Sequence, residues 1–105
     1  MGAQVFGEIV KGKTAKEAFG IAVEEAAFEH GHGGYTGSIA EKHDFTIIDP
    51  VKDGQNVDDW SQNDYEAYAC KLIEDGDERI DDKWGPAGCI EIGDGEFLFF
   101  GWASS

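Results

Sequence analysis

The segment that most limits the fold lies at the C-terminal end, where GPAGCIEI and EFLFFGWA flank Gly93-Asp94-Gly95. Two apolar, β-prone runs joined by a short glycine turn predict a β-hairpin, because glycine supplies the positive φ that so tight a reversal needs. The rest of the chain must then supply what the hairpin packs against.

Two helices answer to that. Thr14 and Glu17 form a T-x-x-E capping box. Behind it, Ala15, Phe19, Ala22, Val23, Ala26 and His30 recur on one helical face, and Gly31 stands where a left-handed residue closes a helix. The pattern predicts a helix over 15–30. Ser61 caps a second helix with Asp64 in its first turn. Its apolar stripe is Tyr65, Tyr68, Ala69, Leu72 and Ile73, and Gly76 closes it. Short strands are expected over 4–10, 35–40 and 45–48, the last ended by Asp49-Pro50, with a loop over 51–60 and an acidic connector, EDGDERIDD, before the hairpin. The order is β-α-β-β-α-β-β. It reads as a single α+β domain over 1–105, with a mostly antiparallel sheet covered on one face by two helices. The connections are too short for several parallel crossovers.

Charge is uneven. Lys plus Arg total 8 and Asp plus Glu total 22, a net charge of −14. Residues 1–52 hold 8 acids and 5 bases, whereas residues 53–105 hold 14 acids and 3 bases. Such a field repels nucleic acid and draws cationic surfaces, so direct nucleic-acid binding is excluded while binding to a protein that itself holds nucleic acid is favoured. No run is apolar enough to span a bilayer, and MGAQVFGEIVKGK lacks the apolar stretch of a secretory signal, so a cytoplasmic protein is expected. Cys70 and Cys89 are expected as two buried thiols rather than a disulfide.

The three histidines, His30, His32 and His43, all fall within FEHGHGGYTGSIAEKHDF. With Glu29 or Cys70 they have the donors for zinc, but the spacing fits no standard site, and a histidine in the last turn of a helix interacts favourably with its dipole. The glycines follow a helix and precede a strand, the reverse of a phosphate cradle. No nucleophile elbow or carboxylate dyad is present, so neither an enzyme nor a bound cofactor is expected.

The acids between Asp53 and Asp82 occupy a loop, the outer face of the second helix and the connector. A solvated surface is the plain reading of any one charge run. Here the excess is large for the size of the chain, and aromatics are interleaved with it, which suits pairing with arginine. Trp60 and Trp84, beside loops, are the aromatics expected in contact, while Tyr65 and Tyr68 are expected in the core. The candidate partner-binding residues are Asp58, Asp59, Trp60, Asp64, Glu66, Glu74, Asp75, Asp77, Glu78, Asp81 and Asp82.

HGHGGYTGSIAEK and KWGPAG…FLFFGWA resemble motifs of small proteins of phages and mobile elements, and in size and acidity the chain resembles anti-CRISPR proteins. The resemblance implies an inhibitor in the bacterial host cell that blocks the nucleic-acid-binding surface of a defence protein, a CRISPR effector nuclease first among them. Alternatives are a protein that sequesters a signalling nucleotide, a metal-binding protein using the His30/His32 turn, and a homodimer that buries FLFFGW through an exposed edge strand.

Overall fold

The computed structural model describes residues 3–30, 39, 42–82, 85–93 and 95–104. The elements are β1 (Ala3–Lys11), α1 (Ala15–His30), β2 (Phe45–Ile47), α2 (Gln62–Glu74), β3 (Ala87–Gly93) and β4 (Glu96–Ser104). The strand expected over 35–40 lies outside the described residues apart from Ile39, which is buried, and so does Gly31.

The capping signals act as read. The Glu17 N–H donates to Thr14 Oγ1 at 3.1 Å, and the Ala18 N–H to the Thr14 carbonyl at 3.0 Å. At the head of α2, Asp64 Oδ2 accepts from the Ser61 N–H at 2.8 Å and from the Ser61 hydroxyl at 3.1 Å. The helix ends in a Schellman turn, in which the Gly76 N–H reaches the Ile73 carbonyl at 3.2 Å and the Asp77 N–H the Leu72 carbonyl at 3.0 Å. That closure places Gly76 at φ 67°, a conformation in which a Cβ is strained.

The sheet runs β1-β4-β3-β2. β4 pairs antiparallel with both β1 and β3, and β2 pairs parallel with β3, so the sheet is mixed and mostly antiparallel. The hairpin is the middle of this sheet. Successive side chains of β4 point to opposite faces, and Phe97, Leu98, Phe99 and Phe100 are all buried. A strand covered on both faces needs an unbroken apolar run, which is why EFLFFGWA does not alternate.

The two helices cover opposite faces, not one. Phe97, Phe99, Cys89 and Val10 meet Ala18, Ala22 and Ala26 of α1, whereas Leu98, Phe100 and Ile90 meet Ala69, Leu72 and Ile73 of α2 together with Ile48 and Ile80. The reason is topological. From the strand pairings β1, β2 and β3 run in the same direction, so β1-α1-β2 and β2-α2-β3 are both crossovers, contrary to the expectation that the connections are too short for several; each holds a helix that spans the return. The first travels across the sheet one way and the second travels back. Crossovers of the same hand moving in opposite directions put their helices on opposite sides.

On the α1 side the rings of Phe19, Phe45 and Phe99 form a triangle with centroids 5.1, 5.6 and 6.0 Å apart. The alanine spine of α1 lets the helix lie close to these rings. On the α2 side the Phe100 ring lies across β3, where a Cβ on Gly88 would meet it at 2.7 Å, so a side chain there must displace the ring. Burying Phe99 or Phe100, both fully enclosed, contributes roughly 1.5–3 kcal/mol.

Candidate partner-binding surface

The acidic segment is one structural layer. Loop 49–61, α2 and the connector 75–82 are joined by the Ile48, Ile80, Leu72 and Ile73 cluster on the α2 side of the sheet. Residues 53–82 hold 11 acids and 2 bases, a net charge of −9. Most of the candidate residues lie at the outer surface of this layer. Asp58, Asp59, Glu66, Glu74, Asp75, Glu78, Asp81 and Asp82 are exposed.

Three candidates have other work. The Asp64 carboxylate holds the start of α2 through Ser61. Asp77 accepts from Arg79 Nε and Nη2, both at 2.8 Å. Trp60 is half-buried, its ring 5.2 Å from Tyr65 and 5.5 Å from Tyr68, so it closes the aromatic patch between the loop and α2 rather than standing free. Tyr65 and Tyr68 are half-buried against the α2-side core. Trp84 lies outside the described residues.

Arg79, the only arginine in the chain, organises the surface. It pairs with Asp77, two residues before it, and reaches across to Asp53, with Nη2 to Oδ2 at 3.1 Å and Nη1 to Oδ1 at 3.3 Å. The Tyr68 hydroxyl donates to Asp53 Oδ2 at 2.6 Å. Loop, helix and connector are thereby tied at one point. Hydrogen bonds from Arg79, joined at Asp53 by the one from Tyr68, hold both carboxyls below the usual carboxylate range. The carboxylates of Asp77 and Asp53 in turn push the guanidinium pKa up. Burial, with the hydrogen bond to Asp53, pushes the Tyr68 phenol up to about 12. Nothing local in the sequence pairs Asp53 with Arg79. The D-x-R spacing of Asp77 and Arg79 was available, but the reach to Asp53 depends on the fold.

The remaining candidates fall elsewhere. His43 is exposed, and His32 and the side chain of His30 lie outside the described residues. Among the described residues no three His, Cys, Asp or Glu side chains stand together as a metal group would require. Cys89 is buried as expected, and burial next to Glu91 pushes its thiol up to about 12, but Cys70 is exposed. It follows Ala69 by one residue, which turns it away from the core stripe of α2. The FLFFGW strand expected at a dimer interface is central and covered on both faces rather than exposed; among the described residues β1 and β2 are the edges. Lys42 is buried, its Nζ donating to the Gly85 carbonyl at 2.9 Å; burial lowers its pKa against the opposing pull of Asp82. Among the described residues no helix is long and apolar enough to cross a membrane.

Compared with protein-family models, with curated proteins and with solved structures, the chain matches none.

Proposed function

We propose that the protein is a phage- or mobile-element-encoded inhibitor that binds the basic, nucleic-acid-binding surface of a bacterial defence protein, a CRISPR effector nuclease being the foremost class. The observation that carries this reading is the α2 layer, with its net charge of −9 over thirty consecutive positions and most of its carboxylates exposed. A surface of that sign steers a cationic groove into encounter and competes there with phosphate. Asp58 and Asp59 on the loop and Asp81 beyond the connector turn are the positions best placed for contact, since they do not serve the Arg79 tie or the helix cap. The acids engaged by Arg79 fix the shape of the layer instead.

The test is displacement of labelled nucleic acid from a purified CRISPR effector by this protein at low and high salt. Inhibition should weaken steeply as salt rises, and the triple variant Asp58→Lys, Asp59→Lys, Asp81→Lys should lose at least about tenfold in affinity. An effector that holds its nucleic acid unchanged, or an affinity indifferent to salt and to the triple variant, overturns the reading.

A further inference from the structure

Among the described residues β1 is an edge of the sheet, and its charged side chains are Glu8 and, at its last position, Lys11. It is nine residues long and contains no proline, whereas β2 at the other edge has three residues. A long edge without proline or bulge can template a further strand. Beside β1, between it and α2, lies a groove of about 290 Å³. It is lined by Leu98 and Phe100 of β4 and by Ala69, Ile73 and the exposed Glu66 of α2.

Gly7 makes the groove. It lies opposite Phe100 in the β1–β4 ladder. Its φ is outside the left-handed region, and a Cβ built on it meets no described atom within 4 Å. Neither backbone conformation nor crowding therefore calls for glycine here, although glycine within a strand costs about 0.5–1 kcal/mol relative to alanine. With no bulge in the β1–β4 register, a glycine of this kind suits the close approach of a ligand or another backbone.

We infer that the edge of β1, unpaired among the described residues, receives an extended segment of a basic partner, which adds a strand to the sheet, sets a large apolar side chain in the groove over Gly7, and places Lys or Arg against Glu66. The inference rests on the reading that the partner is cationic. Charge chooses this occupant over a second copy of the chain, since each copy carries −14 and, among the described residues, the one charged residue lining the groove is Glu66. Backbone hydrogen bonds supply affinity in such strand addition, and the pocket for an alternate side chain supplies selectivity.

The experiment is selection on the intact protein from a displayed library of random peptides about twelve residues long, enough to span the strand. The expected consensus alternates, with a large apolar residue flanked by Lys or Arg. Binding should slow maleimide labelling of the exposed Cys70, which lines the groove, while buried Cys89 stays silent. Gly7→Leu fills open space and should fold, yet cost the selected peptide at least about tenfold in affinity, and Glu66→Gln should weaken it severalfold. Methylating alternate backbone amides of the peptide should abolish binding, and this arm holds even if Gly7→Leu misfolds. Peptides that bind Gly7→Leu equally well, that tolerate amide methylation, or that lack basic residues overturn the inference, as does an edge closed by a dimer that Gly7→Leu dissolves. Asp58, Asp59 and Asp81 stay intact throughout, so failure here is distinguishable from failure of the effector test.

Discussion

At the scale of single residues, Arg79 separates acids that shape the surface from acids that are open to a partner. One guanidinium spans Asp77 and Asp53, and Tyr68 completes the set on Asp53. The group is partly exposed, so its value is modest despite the paired geometry; Arg79→Gln should cost about 1 kcal/mol at neutral pH. The pH dependence carries a definite sign. Asp53 and Asp77 have folded-state pKa values below their ordinary 3.8, so they contribute stability above that value and lose it as pH falls through the lower folded values. Urea unfolding of both forms should therefore show a gap at neutral pH that narrows in acid below 3.8. A gap that stays constant into strong acid would assign the loss to packing of the arginine stem instead.

At the scale of elements, what could be read from sequence was what neighbouring residues determine. The two caps, the reach of both helices and the glycine turn of the hairpin depend on contacts within a few positions, and Thr14, Ser61 and Gly76 all act as their types suggest. The placement of α1 and α2 on opposite faces depends on strand order, which no local pattern encodes; β4 between β1 and β3 is fixed only when residues far apart in sequence pair. The exposure of Cys70 was legible in hindsight from its offset to the Tyr65–Ile73 stripe, while the engagement of Asp53 was not, because Arg79 reaches it across 26 positions. The sheet also makes its own demand. Phe100 covers Gly88 so closely that Gly88→Ala must displace the ring, and overpacking of this kind typically costs about 1–3 kcal/mol. Thermal unfolding should show the drop. Pairing Gly88→Ala with Phe100→Leu should recover part of it, since a smaller side chain makes room for the methyl group; no recovery would place the cost in the β3 backbone.

At the scale of the whole molecule, the charge that equips the protein for a cationic partner also strains the free protein. Residues 53–82 press 11 acids into one layer with 2 bases, and one of those bases, Arg79, is already committed to Asp53 and Asp77. Repulsion therefore outweighs attraction across that layer, and the exposed carboxylates feel it most. Salt screens exposed charges over a Debye length of about 10 Å at 0.1 M, comparable to the spacing between neighbouring side chains on one face. Folding and partner binding should therefore respond to salt with opposite signs: the melting temperature of the free protein should rise as salt is added, while affinity for the effector falls. The triple variant Asp58→Lys, Asp59→Lys, Asp81→Lys should melt higher than the parent at low salt, approach it at high salt, and bind the effector worst at low salt relative to the parent. Calorimetric melts of both forms across a salt series test the first half without any partner. A parent protein whose melting temperature falls with salt would mean that ion pairs such as those of Arg79 outweigh the repulsion between its exposed carboxylates, and the gain expected of the triple variant at low salt would then fail.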